Sequence, residues 1–300
     1  MTKGVIFGAT AAAIWGGMYV VSDVVLEVIP PFTLLLLRLI LGTISLGIFV
    51  IGKPLPKLTV NTVISIIGVG IVGYAFSLGA QFVGTDLSTA INGAIVTSAT
   101  PAFVILFAVI ILREKLTTRR LLSVTLATIG VFIIIDFTQA SFSSDTFVGN
   151  LFLGIAAITW GLYSVLIRWV SGKFLTLDTL YITLISFAGG LLLVIPASVI
   201  ELQGTSINMS DITVGVIAGV LFLGVISTAV AFWLWNRAFA LLEASTASLL
   251  FFVQPVSGAL LGWIFLGQAM TLTTWIGGLF IAIGVLLSTS RKKPELLADN

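Results

Sequence analysis

The apolar residues of this chain fall into long uninterrupted runs separated by charges, prolines and polar clusters, without the strict alternation of a half-buried strand. Punctuated at those breaks, the pattern predicts ten helical spans. They cover roughly 4–22, 32–52, 61–83, 87–112 and 119–136, then roughly 149–171, 177–200, 212–240, 245–266 and 272–290. A helix of ~20 apolar residues crosses a hydrocarbon layer of ~30 Å, so each run is of crossing length. An outer-membrane barrel is disfavoured, because its strands are ~10 residues long and alternate apolar with polar. The longest polar stretch, 138–148, separates the fifth span from the sixth. The chain therefore divides into a first five-span unit over 1–140, an external linker over 141–148, a second five-span unit over 149–290 and a short charged tail over 291–300.

Composition fixes the class. With 58% hydrophobic residues, 9% charged and a mean hydropathy of +1.21, the chain is an integral membrane protein whose nonprotein surroundings are the lipid bilayer. The net charge of +2 does not point to nucleic acid, since the basic residues stand singly or in pairs between apolar spans. With no cysteine and no histidine, disulfides, thiolate chemistry, imidazole-ligated metals and histidine acid–base catalysis are excluded. The first span, behind a single Lys3, lacks a small-residue cleavage site and is expected to be a retained helix.

The cations set the orientation. With the amino terminus in the cytoplasm, Lys3, Lys53, Lys57, Arg113, Lys115, Arg119, Arg120, Arg168, Lys173, Arg237 and the three cations 291–293 all fall inside, and only Arg38 is left over. Asp23, Glu27, Asp86, Asp136, Asp145, Glu201 and Asp211 fall at the outer rim. Both termini are expected in the cytoplasm, in a cell inner (plasma) membrane.

The two five-span units are copies. A shift of 154 positions lays Ala244 on Ala90, Pro255 on Pro101, Leu266 on Leu112, Gln268 on Glu114 and Ile283-Gly284-Val285 on Ile129-Gly130-Val131. A shift of 145 lays Gly149, Trp160, Gly161 and Val165 on Gly4, Trp15, Gly16 and Val20. A unit with an odd number of spans, repeated in tandem, inserts its second copy upside down, so an inverted repeat around a central cavity is expected.

Glycines such as Gly8, Gly16, Gly70 and Gly277 mark places where helices touch closely. Pro101 and Pro255 stand at equivalent positions within spans 4 and 9, where a proline interrupts the ladder and frees a carbonyl one turn back. Paired interruptions in two halves point to a central site, although prolines also bend membrane helices without further role. Trp15, Tyr19, Arg38, Tyr74, Gln81, Asn92, Trp160, Tyr163, Trp235 and Gln254 are the candidate lining of that site, and Pro101, Pro255 and Glu114 the candidate gating positions. Trp15 and Trp160 lie about 11 residues into their spans, ~17 Å by helical rise, too deep for an interfacial belt. Arg38, in LLLLRLIL, needs carbonyls at a helix break, Asp23 or Glu27 reached by snorkelling, or a substrate carboxylate. No paired intramembrane carboxylate, HExxH, phosphate loop or GxSxG is present, so no catalytic residue, metal or cofactor is expected and the chain is not read as an enzyme.

The Ala-Ile-Trp-Gly of span 1, Thr-Trp-Gly of span 6, prolines of spans 4 and 9, Arg-Glu-Lys-Leu-Thr after span 4 and Ile-Gly-Val of spans 5 and 10 resemble the EamA-type branch of the drug/metabolite transporter superfamily. The resemblance implies ten helices, cytoplasmic termini, alternating access and, in many members, export of amino acids or other metabolites. It also implies an acidic residue at the ends of spans 4 and 9. Glu114 supplies the first, whereas the second position holds Gln268. Span 1 has no embedded glutamate of the small multidrug exporters, and Arg38 alone does not make the basic cavity of phosphate-sugar carriers. The sequence is thus read as a carrier of small neutral or zwitterionic metabolites, amino acids foremost. Export of amphipathic drugs or weak organic acids stays open as an alternative, as does a lipid-handling or structural membrane protein. The partner is a small-molecule substrate; oligomeric state is not read.

Overall fold

The structure is a computed structural model that describes the chain apart from residues 1, 55, 89–92, 94–95, 135–143, 206, 267–271 and 290–300. The described residues are helical, with no strand among them. We number the helices α1 Thr2–Leu26, α2 Pro31–Ile48, α3 Val60–Asp86, α4 Thr100–Ile111, α5 Thr118–Ile134, α6 Ser144–Lys173, α7 Thr179–Gly204, α8 Val214–Leu241, α9 Val253–Leu266 and α10 Leu272–Thr289. Among the described residues six are long and apolar enough to cross a membrane: α1, α2, α3, Thr146–Lys173 of α6, α7 and α8. The apolar helices Thr100–Ile111 and Trp275–Leu287 are shorter. Residues 89–92 of span 4 and 267–271 after span 9 lie outside the described residues.

Local chemistry starts these helices where the hydropathy breaks. Pro31 opens α2 in the first turn, where its missing N–H costs nothing. Thr59 and Thr213, 154 positions apart, both sit in extended backbone and accept the amide of the residue three further on, Thr62 and Val216. Such a cap contributes ~1 kcal/mol. Inside α3 and α8 the chain widens into π-helix over Ile71–Ser77 and Phe222–Val230. These two segments overlap when one half is laid on the other, and in α8 the carbonyls of Leu223 and Ser227 accept from side chains.

The packing is the same read from either half. The principal contacts are α1 with α8 and α9, α6 with α3 and α4, α2 with α8, α7 with α3, α2 with α7, and α5 with α10. Exchanging the first five helices for the last five returns that set unchanged. Close approach depends on glycine at matching places. A Cβ at Gly16 would stand 2.7 Å from the Gln254 carbonyl oxygen and the Gly258 nitrogen of α9, and one at Gly161 would stand 2.7 Å from Cβ of Phe103 and 3.1 Å from the Val104 nitrogen of α4. Small residues let backbones meet where lipid supplies no hydrophobic drive to association. Large apolar side chains such as Ile44, Ile64, Leu192 and Ile264 stay exposed on the outside, while Arg38, Asn236, Thr183 and Ser164 are fully buried. This is the distribution expected when the surroundings are hydrocarbon.

Candidate functional site

Where α1, α3, α6, α8 and α9 converge, near the middle of α1 and α6, lies a cavity of about 30 Å³. That is room for one or two waters. Its apolar wall is formed by Trp15, Met18, Leu78, Ala156, Trp160, Phe232 and Phe251, and its polar groups come from Ser77, Gln81, Thr97, Thr100 and Gln254. Trp15 and Trp160, equivalent in the two halves, meet edge to face with ring centroids 5.5 Å apart. No charged side chain lines the cavity among the described residues.

Several of these polar atoms are buried without a partner. The Trp15 indole donates to the Ser227 carbonyl in the π segment of α8 (2.9 Å), whereas the Trp160 indole N–H has no acceptor. The Gln254 amide nitrogen donates to the Trp15 carbonyl (3.3 Å), which leaves its Oε1 unpaired. The Thr100 hydroxyl is likewise unpaired. A buried polar atom without a partner costs ~1–3 kcal/mol. Trp160, Gln254 and Thr100 all line the same space, and each carries a buried polar atom without a partner.

Four expected lining residues stand one layer back instead. Tyr74 and Tyr163 hydrogen-bond through their hydroxyls (2.5 Å), Tyr163 donates to Oδ1 of Asn236 (2.9 Å), and Asn236 donates to the Thr183 hydroxyl (3.0 Å). This chain ties α3, α6, α8 and α7 together, so both tyrosines are consumed in packing. Trp235 is also behind the wall, its indole donating to the Ser164 hydroxyl (3.3 Å). Arg38 is fully buried; Nε donates to the Thr228 hydroxyl (3.0 Å), while Nη2 reaches the Ser227 hydroxyl (3.4 Å) and the Met18 sulfur (3.7 Å). Its guanidinium lies 5.0 Å from the Phe82 ring centroid. Hydroxyls of the π segment were not among the partners expected for it. Thr228 donates to the Leu223 carbonyl, five residues back, and so presents its oxygen to the arginine. The Tyr19 side chain and Asn92 lie outside the described residues.

Pro101 does not break a continuous helix. It occupies the first turn of α4, after a turn at Ser98–Ala99. Pro255 stands early in α9, behind a 3₁₀ turn over Ser248–Phe252 that follows the short helix Ala244–Ala247. The interruption in both thus lies on the amino-terminal side of the proline, where the absent N–H leaves no bond unmade. Glu114 follows Arg113, whose φ of 56° turns the chain sharply at the end of α4. Its carboxylate accepts from the Ala244 amide (2.7 Å) and from the Ser245 amide (3.2 Å) and hydroxyl (2.5 Å). A carboxylate is favoured at a helix start by the dipole of the first turn. Arg120 lies 3.8 Å from Glu114 and pairs with Glu243. At the other end of the bundle, Glu201 accepts from the amides of Phe32 (2.9 Å) and Thr33 (2.7 Å) at the start of α2. Each end also has an open recess, of about 450 Å³ beside Glu114, Arg168 and Lys173 and about 460 Å³ beside Glu27, Asp86 and Glu201.

Comparisons with known proteins bear on the family and the fold. Along 95% of its length the chain is 25% identical to an uncharacterized transporter of Archaeoglobus fulgidus, of which 96% is covered. It is 27% identical over 95% of its length to the uncharacterized transporter YetK of Bacillus subtilis, of which 86% is covered. A solved crystal structure matches 96% of the chain and 97% of its own with a TM-score of 0.77 at 18% identity, which speaks to the fold. The EamA-like transporter family matches twice, over residues 2–136 and 147–290. Two matches that together take in nearly the whole chain show that this protein belongs to the EamA-like transporter family.

Proposed function

We propose that this transporter carries small neutral or zwitterionic metabolites, amino acids foremost, outward across the plasma membrane by alternating access through the midplane cavity. The observation that carries the reading is the cavity wall itself. Both halves contribute to it, no charged side chain lines it among the described residues, and three of its lining residues, Trp160, Gln254 and Thr100, carry buried polar atoms without a partner. A site built between two inverted five-helix units, one over 1–140 and one over 149–290, lies on their shared axis and can open to either side as the units rock. The half-exchange symmetry of the packing supports that arrangement. At about 30 Å³ the cavity holds water and no larger solute, so Trp15, Trp160, Phe232 and Phe251 must part before a substrate enters from one of the two recesses. Glu114, by joining the end of α4 to the start of the α9 chain, holds the cation-bearing end shut in this conformation.

The test is flux. Purified protein in proteoliposomes, screened against a panel of radiolabelled amino acids, is expected to give solute-dependent exchange that Trp160→Ala or Gln254→Ala reduces at least tenfold, the equivalent of ~1.4 kcal/mol. Undiminished flux in both variants would remove the cavity from the pathway, and no flux for any amino acid would reject the substrate class.

A further inference from the structure

Arg38 is a cation with 0% exposure and its Nη1 has no hydrogen-bond partner at all. An arginine does not shed its proton to relieve this, and in hydrocarbon such a charge costs several kcal/mol. The contacts it does make are thin. One good bond reaches Thr228, Ser227 is at 3.4 Å, and the remaining neighbours of the guanidinium are a thioether at 3.7 Å and a phenyl ring. No carboxylate reaches it among the described residues. The Met18 thioether is thus at once a neighbour of Nη2 and part of the wall of the central cavity. Methionine is unbranched and turns about three bonds at little cost.

We infer that Met18 is a shutter over a carboxylate subsite. When its side chain swings aside, the cavity extends to the guanidinium, and a substrate carboxylate takes the free Nη1 and Nη2 as a two-pronged pair. The rest of the substrate then lies against Trp15, Trp160 and Phe232, and a donor on it, such as an ammonium, finds the unpaired Gln254 Oε1. The substrate class this selects is a small monocarboxylate with an apolar or aromatic body. The inference rests on the transport reading of the cavity, but its test needs no flux.

Because the chain has no cysteine, Met18→Cys places a single thiol at the shutter. Its labelling rate in detergent is measured with anionic sulfonatoethyl methanethiosulfonate and with cationic trimethylammonioethyl methanethiosulfonate, each normalised to a free thiol in solution. A cation behind the thiol concentrates the anionic reagent, so a preference of about tenfold for it is expected. Arg38→Gln in the same background should abolish that preference. Benzoate should slow the labelling, while benzamide and chloride should not. Arg38→Lys should keep the reagent preference but weaken protection by benzoate about tenfold, because an ammonium cannot reproduce the planar fork. A thiol unreactive to both reagents, equal rates with Arg38 present, or equal protection by benzamide or chloride overturns the inference. Should Arg38→Gln fail to fold, benzoate against benzamide in Met18→Cys alone decides. Selective protection with no flux in proteoliposomes would reject the transport reading and keep the subsite; flux without selective protection would do the reverse.

Discussion

On one side of the cavity wall Tyr74, Tyr163 and Asn236 meet, with Ser186 on the neighbouring α7, and at the equivalent place on the other side Thr228, Met18 and Phe82 surround Arg38 of α2. Tyr74 and Thr228, and likewise Phe82 and Asn236, are 154 positions apart; Met18 and Tyr163 are 145 apart. Arg38 and Ser186 share the 148-residue spacing of Gly42 and Gly190, the first packing on Thr228 and Phe187, the second on Tyr74 and Leu39. In the tyrosine cluster the two phenols and the amide answer one another, with no unpaired atom on any of the three, while the Ser186 hydroxyl beside them is buried without a partner. The arginine cluster has a full charge, one strong bond and a free Nη1. The two places share corresponding positions and overlapping π segments of α3 and α8 but carry opposite chemistry. A closed polar network fixes helices, whereas a half-satisfied charge is retained at a cost in stability. A charge retained at such a cost fits the carboxylate subsite proposed above.

The largest expected effect follows from opening the closed cluster. Asn236→Leu keeps the volume but leaves one O–H of the Tyr74–Tyr163 pair without an acceptor, while the Thr183 hydroxyl loses a donor and keeps the Thr179 carbonyl. A stranded donor at ~1–3 kcal/mol and a lost hydrogen bond at ~1 kcal/mol make this about 3 kcal/mol. The melting temperature in detergent, followed by size-exclusion fluorescence, should fall further than for any other variant considered, and a wild-type value would mean that the network does not hold α3, α6, α7 and α8 together.

Next come Gly16→Ala and Gly161→Ala. Each sets a methyl against the backbone of the opposing interrupted helix, α9 or α4, and overpacking of this kind costs ~1–3 kcal/mol. Because the contacts are equivalent, the two variants should lose similar stability. A cost at one site and none at the other would break the comparison between halves at its root.

How much of this was legible follows the same division. The apolar helical character of the chain and the deep tryptophans could be read because hydropathy and depth are one-dimensional quantities, whereas spans 4 and 9, expected from 87 and 245, are interrupted before the helices that start at Thr100 and Val253. Trp15, Gln81, Trp160 and Gln254 do meet at one cavity. Tyr74, Tyr163, Trp235 and Arg38 were assigned to the same wall because polar groups inside a membrane span are rare, yet rarity does not tell a pair that satisfies each other from a pair that faces a solute. That distinction needs partners from other helices, such as Asn236, Ser164 and Thr228. Met18, Phe232 and Phe251 were missed for the converse reason: apolar residues in an apolar span carry no mark. The π segments were invisible, since a single extra residue in a helical turn leaves hydropathy unchanged. The doubled Gly-rich stretches around Gly70 and Gly224 were the available signal.

Smaller effects are expected at the two carboxylates that cap helix starts, Glu114 at Ala244 and Glu201 at Phe32. Glu114→Gln and Glu201→Gln keep an acceptor and lose the charge, so ~1 kcal/mol each is expected, as for other helix-end charges. If Glu114 also holds one end shut, its variant should in addition make a cysteine at Ser248 more reactive from the cation-bearing side. Unchanged reactivity would confine Glu114 to capping.

The smallest change in stability is expected where the sequence places its most costly residue. Arg38→Met removes a charge that the protein only half satisfies, and it fills the space with a flexible apolar chain. Replacing buried ionic groups by apolar ones of similar size is often neutral or stabilising, whereas removing only one partner of a satisfied pair is not. If the guanidinium braced α2 to α8 as firmly as Tyr163 and Asn236 brace their helices, Arg38→Met would melt as low as Asn236→Leu. The bond lengths argue otherwise, with one contact at 3.0 Å and the others at 3.4 and 3.7 Å. The melting temperature of Arg38→Met should therefore equal or exceed that of the wild type. Its Thr228 hydroxyl keeps the Leu223 carbonyl as a partner, so no polar atom is stranded by the exchange. Flux of carboxylate-bearing solutes should drop at least tenfold in the same variant, ~1.4 kcal/mol of lost binding. Stability retained with transport lost separates a residue kept for its ligand from one kept for the fold. A low melting point with transport of amides and acids impaired alike would place Arg38 with the tyrosine cluster, as a structural tie.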